Sequence, residues 1–144
     1  MIVADTGAMI ALIDADEAHH LEVRELYNDD PDAWVLPWAI LPEVDYLLLK
    51  RAGPEAAQIF LADLAEERWA IVWGEGDDLE RALQLNRRYQ ALRLGLVDGI
   101  VMAVAERVKA TAIATLDLKH FGAVELAGRP RLIPRDGEEK KQRA

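Results

Sequence analysis

The chain contains no cysteine among its 144 residues, and this absence removes two structural possibilities. No disulfide framework can hold the fold together, and no thiolate zinc site can form. Long hydrophobic runs are also absent, since no apolar stretch approaches the roughly 18 residues that a membrane span requires. The N-terminus has no basic region and carries Asp5 early, which argues against a signal peptide. We therefore expect a cytoplasmic protein that does not engage a membrane.

Positive charge is scarce in the first half of the chain. The net charge is −9, and residues 1–72 hold 4 Lys and Arg against 15 Asp and Glu. Residues 73–144 hold 13 against 11, so the second half is slightly basic. The overall charge is unfavourable for a nucleic-acid partner, but the second half can supply a local basic surface for phosphates. Solvated helix faces explain the same charges equally well.

The apolar content is sufficient for one folded domain. Hydrophobic residues make up 51% of the chain, as in globular proteins, and a chain of this length buries roughly two thirds of its unfolded surface. Short apolar strands alternate with helical segments, which predicts an α/β fold with a mainly parallel sheet of about five strands and helices on both faces. We expect a single domain over residues 1–134 and a polar, disordered tail over residues 135–144.

The hydrophobic patterns also predict where the elements lie. Strands are expected over residues 1–5, 33–36, 68–73, 111–114 and 131–133. Helices are expected over residues 6–13, 17–27, 38–51, 54–67, 99–108 and 118–121. A further helix, capped by Asp77-Asp78, extends to about residue 92.

Four carboxylates lie in apolar surroundings, where a charge is costly. They are Asp5 after Met1-Ile2-Val3-Ala4, Glu43 within Trp38-Ala39-Ile40-Leu41-Pro42-Glu43-Val44, Asp98 within Leu96-Val97-Asp98-Gly99-Ile100, and Asp117 after Ile113-Ala114-Thr115-Leu116. A buried carboxylate needs a partner, a shifted pKa or a metal. Only Asp117 has a basic residue within two positions, Lys119, so a shared cation is the economical hypothesis.

The predicted positions of these acids favour a common site. Asp5 and Asp117 come at the ends of predicted strands, and the ligand crevice of an open parallel sheet lies beyond the carboxyl ends of its strands. Asp98 would begin a helix there, and Glu43 would reach in from another helix. Four converging carboxylates form an oxygen-only site, which favours Mg²⁺ or Mn²⁺ over zinc. Such ions activate water and neutralise charge at a phosphodiester, so the chemistry implied is metal-assisted phosphodiester hydrolysis.

Each acid also has a purely structural explanation. Asp5, Asp98 and Asp117 could each cap the helix that follows. Periodicity cannot separate Glu43 from Asp45, because both have apolar neighbours three and four positions away on the same predicted helix. The pattern of residues alone leaves these alternatives open.

Four short segments resemble the signature blocks of the PIN-domain ribonucleases. They are Asp5-Thr6-Gly7-Ala8, Pro42-Glu43-Val44, Asp98-Gly99-Ile100-Val101-Met102-Ala103 and Thr115-Leu116-Asp117-Leu118-Lys119-His120-Phe121. Their order and spacing are similar to those of the VapC-type toxins of bacterial and archaeal toxin–antitoxin pairs, up to about Ile133. The resemblance implies a Mg²⁺-dependent endoribonuclease, with Mn²⁺ as a substitute, that hydrolyses RNA with metal-activated water. It also implies a cognate VapB-type antitoxin and a homodimer.

Carried over block by block, the resemblance implies that one set of acids binds the metal: Asp5, Glu43, Asp98 and Asp117. It thereby selects Glu43 over Asp45, which becomes a structural or surface residue. Thr6 and Thr115 occupy hydroxyl positions of the motif, where they would orient carboxylates or a water on the metal. Roles as ordinary strand or cap residues remain alternatives for both threonines. Gly7 and Gly99 depart mildly from the family pattern, because serine or alanine is commoner at these positions.

A second group of polar residues is less clearly assigned. His120 lies three residues after Asp117, near enough for a substrate phosphate, whereas His19-His20 is typical of a solvated helix face. Candidates for contacts with the RNA backbone are Arg87, Arg88, Arg93 and Lys119. A solvated surface explains these four cations at least as well.

Two other functions fit part of the sequence. A receiver-like phosphoacceptor domain is also a parallel α/β fold with an acidic Mg²⁺ pocket, but receivers typically carry paired acids after the first strand. Here Asp5 has no adjacent acid, and the middle strand is followed by Gly74 and not by an acceptor aspartate. The other alternative is a PIN scaffold that binds RNA or protein without cutting, although all four acids are present.

Overall fold

Five strands and seven helices are formed by residues 1–137, which are the residues that the computed structural model describes. The strands are β1 (Ile2–Ala4), β2 (Trp34–Pro37), β3 (Ala70–Val72), β4 (Ala112–Ala114) and β5 (Arg131–Ile133). The helices are α1 (Thr6–Ile13), α2 (His20–Asp29), α3 (Leu41–Ala52), α4 (Pro54–Ala65), α5 (Gly76–Arg88), α6 (Gly95–Arg107) and α7 (Leu118–Phe121). From residue 138 onward, the expected tail lies outside the described residues.

The strands form one parallel sheet in the order β3-β2-β1-β4-β5. The chain winds from β1 through β2 and β3 on one side, and then crosses to β4 and β5 on the other. The strand order therefore reverses beside β1, and parallel pairing puts the carboxyl ends of all strands at one edge. This order differs from the 2-1-3-4-5 order of receiver-type folds, so the receiver-like alternative is wrong.

Successive residues of the central strands are buried, so both faces of the sheet are covered by other elements. All four residues of β2 and all three of β4 are buried, which requires apolar side chains on both faces. Helix α6 is a core helix, with an unbroken buried stretch over residues 99–105. The predicted α/β fold with a mainly parallel five-stranded sheet is confirmed. Within residues 1–137, no helix is long and apolar enough to cross a membrane.

Most predicted boundaries agree with the structure, but α6 begins four residues earlier than expected. The helix begins at Gly95, whose φ of 83° places it in the left-handed region that glycine tolerates. The Asn86 side chain of α5 accepts a hydrogen bond from Gly95 N at 2.8 Å and donates to Gly95 O at 3.0 Å. Asp98 therefore lies within the first turn of α6, and its interpretation as a helix N-cap is wrong.

Three other helices start at different residues from those predicted. Helix α3 begins at Leu41 and not at residue 38, because Trp38–Ile40 form a separate 3-10 turn. Helix α2 begins at His20 and not at residue 17, because Glu17 forms a local turn in which its carboxylate accepts a hydrogen bond from His19 N at 2.6 Å. Helix α5 is capped by Glu75 and not by Asp77-Asp78. Asp78 instead completes a capping box by accepting a hydrogen bond from Glu75 N at 3.1 Å.

Candidate active site

One cavity of about 380 Å³ is lined by all four predicted acids. Asp5 follows β1 and Asp117 follows β4, so the cavity lies at the carboxyl edge of the sheet where the strand order reverses. The other two acids, Glu43 and Asp98, also line the cavity. The other lining residues are Thr6, Gly7, Ile10, Leu47, Arg51 and Leu116. Four sequence segments that are far apart in the chain thus meet at one place.

Each acid lies at the N-terminal end of a different helix. Asp5 is the N-cap of α1 and Asp117 is the N-cap of α7, while Glu43 and Asp98 lie in the first turns of α3 and α6. Helix N-termini carry partial positive charge, which offsets part of the repulsion among the carboxylates. The predicted capping roles of Asp5 and Asp117 are confirmed, and they coexist with membership of the cavity.

Two threonines accompany these carboxylates, at the positions for which the family resemblance implied hydroxyl groups. Thr115 is buried, and its Oγ1 donates a hydrogen bond to Asp5 Oδ2. Asp117 N in turn donates to Thr115 Oγ1 at 3.0 Å. This chain of hydrogen bonds fixes the ends of β1 and β4 relative to each other, so Thr115 holds two of the acids in place. Thr6 lines the cavity beside Asp5.

The electrostatics of the cavity favour protonation of its deepest acid. Burial raises the pKa of Asp5 from 3.8 to about 7, although hydrogen bonds from Thr115 and Ala8 lower it. The negative charges of Asp98 and Asp117 raise the pKa of Asp5 further. Burial likewise raises the pKa of Asp98, against the lowering effect of His120. Because these carboxylates repel one another, a cation bound between them would stabilise their charged forms.

His120 belongs to the same cluster, although the sequence only suggested a phosphate contact for it. Its Nδ1 lies 2.6 Å from Asp98 Oδ2 and 3.1 Å from Asp117 Oδ2. Asp98, Asp117 and His120 each offer one ligand atom, and these atoms all lie within 4.8 Å of one another. The signal for this contact was the spacing of three residues between Asp117 and His120, which places both on one side of α7.

Arg51 also lines the cavity, although no pattern in the sequence distinguishes it from other surface cations. Glu43, Leu47 and Arg51 are spaced by four residues on α3 and therefore share one helix face. Asp45 is exposed and points away from this face, which separates it from Glu43. The four cations that the sequence suggested for contacts with RNA are exposed and do not line the cavity: Arg87, Arg88, Arg93 and Lys119. Their contact with RNA stays a prediction.

The residues of the cavity fit a divalent metal ion. Carboxylate oxygens are the ligands that Mg²⁺ and Mn²⁺ prefer. Thr6 Oγ1 is buried beside them and has no hydrogen-bond partner among residues 1–137. A buried hydroxyl without a partner is costly, so an additional polar group such as a coordinated water would satisfy it.

An acidic cavity at the carboxyl edge of a parallel sheet, with hydroxyl groups behind the carboxylates, defines a phosphodiesterase type of site. The family model of the PIN domain matches residues 2–125. Ribonuclease VapC26 of Mycobacterium tuberculosis is 32% identical over 127 residues, which are 88% of this chain and 94% of the relative.

Solved structures of similar fold include VapC20 and VapBC2. VapC20 of M. tuberculosis, described as a sarcin–ricin loop cleaving toxin, has a TM-score of 0.79 and 23% identity, covering 89% of this chain and 98% of that chain. VapBC2 from Rickettsia felis, bound to a DNA fragment of its promoter, has a TM-score of 0.65 and 18% identity, covering 92% and 97%. This chain belongs to the PIN-domain family, as a ribonuclease of the VapC type.

Proposed function

We propose that the chain hydrolyses RNA phosphodiester bonds as the toxin of a VapBC-type pair, with a Mg²⁺ ion that Mn²⁺ can replace. The ion would be held by Asp5, Glu43, Asp98 and Asp117. The observation that carries this proposal is the convergence of these carboxylates, from four separate segments, on one cavity. The printed description of VapC20 as a toxin that cleaves the sarcin–ricin loop supports RNA as the substrate class.

A bound cation, Thr115 and Thr6 would each have a different role in the proposed reaction. When bound, a divalent cation supplies positive charge at the phosphodiester and lowers the pKa of a water molecule. Thr115 holds Asp5 and the backbone of Asp117 in fixed positions through its hydroxyl group. Thr6 offers its unpartnered hydroxyl group to a water molecule in the cavity. Fixed donors and acceptors need no rearrangement during the reaction, which favours the transition state.

Arg51 would bind a phosphate of the RNA. It is the one positively charged residue among the described residues that line the cavity. Within residues 1–137 no salt bridge of 4.0 Å or less involves it, and its charge acts only at longer range on Glu17. Its guanidinium group is therefore available for a bidentate contact with phosphate oxygens. A cation at the rim of an acidic cavity also reduces the repulsion that an RNA strand meets there.

We further propose a VapB-type antitoxin as partner, a homodimer as assembly and the cytoplasm as location. The structural likeness to VapBC2 supports the antitoxin. Large apolar side chains that are exposed on the isolated chain support contacts with partner chains: Leu21, Tyr46, Leu49, Ile59, Leu61, Trp73, Leu79, Leu83 and Leu96. Light scattering on the purified chain, alone and with the antitoxin, tests the assembly, and a monomer in both samples contradicts it.

The acidic residues can be tested with a matched pair on helix α3. We expect Glu43→Gln to abolish RNA cleavage in the presence of Mg²⁺, because it removes a carboxylate from the cavity. Asp45→Asn removes an exposed carboxylate two residues away and should leave cleavage unchanged. Cleavage of total RNA, followed by mapping of the new ends, measures the activity and identifies the target. Asp5→Asn and Asp98→Asn should behave like Glu43→Gln.

Each variant also needs a check of the fold. Far-ultraviolet circular dichroism and the midpoint of thermal unfolding should show that the inactive variants remain folded. Full cleavage by folded Asp5→Asn or Asp98→Asn protein would overturn the assigned site. Absence of cleavage by the wild-type chain with either Mg²⁺ or Mn²⁺ would instead favour the scaffold that binds RNA without cutting it.

A further inference from the structure

His120 places a nitrogen atom between two of the proposed metal-binding acids. Its Nδ1 lies 2.6 Å from Asp98 Oδ2 on α6 and 3.1 Å from Asp117 Oδ2 at the start of α7. His120 is half-buried, with 21% of its side chain exposed, and its ring contacts two of the acids that line the cavity. His120 N also donates to Asp117 Oδ1 at 3.0 Å, which fixes the start of α7. The ring position is thereby tied to the carboxylate of Asp117.

The arrangement differs from that of a histidine that only orients a carboxylate. An orienting residue contacts the carboxylate oxygen that is turned away from the ion. Here the same ring atom lies beside carboxylate oxygens from two different elements, so Nδ1 and these two oxygens form one group of possible ligand atoms. Two neighbouring ligands of an octahedral ion, each about 2.1 Å from it, lie about 3 Å apart. The separation of 3.1 Å between Nδ1 and Asp117 Oδ2 matches this spacing. The separation of 2.6 Å between Nδ1 and Asp98 Oδ2 is a hydrogen-bond distance, which would lengthen when both atoms bind one ion.

We propose that His120 Nδ1 is a ligand of the metal ion, so that the site has mixed nitrogen and oxygen donors. This inference rests on the proposed function and changes the oxygen-only site expected from the sequence. In the metal-free chain Nδ1 lies at hydrogen-bond distance from Asp98 Oδ2, and as a metal ligand it would carry no hydrogen, so that the ring hydrogen would reside on Nε2. Imidazole binds transition-metal ions better than it binds Mg²⁺, so the site prefers Mn²⁺ to Mg²⁺.

The experiment compares metal binding in the wild type, His120→Gln and His19→Gln, all as full-length chains. Glutamine can still donate a hydrogen bond to the carboxylates, but it removes the imidazole nitrogen. His19 is exposed and pairs with Glu17, so His19→Gln is the matched control. Calorimetric titration gives the affinities for Mn²⁺ and for Mg²⁺. Pulsed electron paramagnetic resonance of bound Mn²⁺ shows directly whether an imidazole nitrogen is coordinated.

We expect a nitrogen signal in the wild type and in His19→Gln, and its loss in His120→Gln. The affinity for Mn²⁺ should fall about tenfold or more in His120→Gln, whereas the affinity for Mg²⁺ should change much less. Equal losses for both ions would show that His120 only positions the acids, and would overturn the inference. Bound Mn²⁺ without a nitrogen signal in the wild type would overturn it as well. Failure of the wild type to bind either ion would contradict the proposed metal site itself.

Discussion

Asp5 caps helix α1 and also lines the acidic cavity, because its two carboxylate oxygens have different hydrogen-bond partners. Oδ1 accepts a hydrogen bond from Ala8 N at 2.9 Å and caps α1, while Oδ2 accepts from Thr115. Asparagine also caps helices well. Asp5→Asn therefore removes the charge while it keeps the cap, which makes it a suitable variant for separating loss of activity from loss of fold.

Arg51 provides a residue-scale prediction about RNA binding. We expect Arg51→Gln to raise KM for RNA about tenfold and to lower kcat less, because it removes a phosphate contact and leaves the carboxylates intact. In the cleavage-deficient Asp98→Asn background, the slope of log affinity against log salt should decrease by about 0.7 to 1. Steady-state kinetics and fluorescence anisotropy at several salt concentrations measure the two effects.

Lys50 supplies the control for this prediction. It is exposed on the same turn of α3 and does not line the cavity. Lys50→Gln makes the same change in net charge, so any general electrostatic effect appears in both variants. Equal changes in KM for the two variants would show that Arg51 makes no specific contact with the RNA.

At the scale of elements, α5 and α6 fix the position of Asp98. Asp78 and Arg81 on α5 form bidentate ion pairs with Arg107 and Glu106 on α6, with donor–acceptor distances of 2.6 to 3.0 Å. The helices approach closely at Gly99, where an added Cβ would lie 2.9 Å from Ala82 Cβ and 2.9 Å from Asn86 Nδ2. The glycine at this position, where the family resemblance leads us to expect serine or alanine, is explained by close helix packing.

The two glycines that depart from the family pattern should respond differently to alanine. We expect Gly99→Ala to lower the free energy of unfolding by about 1 to 3 kcal/mol, because the new methyl group must displace Ala82 and Asn86 of α5. At Gly7 an added Cβ would meet Asp5 Oδ1 at 3.8 Å, which is an ordinary contact. Gly7→Ala should therefore be neutral or stabilising by up to about 1 kcal/mol, since alanine favours helix.

Urea unfolding of the two variants and the wild type measures this difference. Both substitutions add one methyl group to a helix, so each serves as the control for the other. If Gly99→Ala were as stable as Gly7→Ala, the packing of α5 against α6 would have to be looser than the structure indicates.

The same elements show which features a sequence can predict. Helices α1 and α7 were predicted at their observed bounds, because Asp5 and Asp117 cap them through hydrogen bonds to residues only three positions away. The start of α6 was missed because it depends on Asn86, which reaches Gly95 across a turn and completes its hydrogen bonds. Helix boundaries that are set by nearby capping residues can be predicted from the sequence. Boundaries that depend on contacts between different elements can be predicted only once the fold is known.

The site residues show the same difference between local signals, which the sequence reveals, and contacts that depend on the fold. The four acids were recognisable because each interrupts an apolar stretch, and the family resemblance then selected Glu43 over Asp45. His120 was expected only near a substrate phosphate, and Arg51 received no role, because neither residue interrupts an apolar pattern. Their positions depend on how α7 and α3 face the cavity. That orientation is set by packing against the sheet and is not encoded in residue spacing alone.

At the scale of the whole molecule, the acidic cavity opposes the binding of RNA. The net charge of −9 and the four converging carboxylates repel phosphates, and few cations near the cavity offset them. A bound divalent ion would reduce the repulsion among the carboxylates and their repulsion of RNA, so it would stabilise the fold and also favour the binding of RNA. The same repulsion makes the stability of the metal-free protein depend on pH.

The metal-free protein should lose stability as the pH rises from about 4 to about 7. The folded chain holds Asp5 with a pKa of about 7, whereas the ordinary value is 3.8, so the folded state binds more protons than the unfolded state between these values. The free energy of unfolding therefore falls with rising pH, by roughly 4 kcal/mol from Asp5 alone. The raised pKa of Asp98 acts in the same direction.

Urea unfolding in EDTA at several pH values, for the wild type and for Asp5→Asn, measures this contribution. Arginine partners lower the pKa of Asp78 and Glu106, so these pairs lose stability only as the pH falls below about 4, and they cancel in the difference between the two proteins. Added Mn²⁺ or Mg²⁺ should reverse the trend near pH 7, by about 2.7 kcal/mol at a hundredfold excess over Kd. The same pH dependence in Asp5→Asn as in the wild type would show that Asp5 is not the group that titrates.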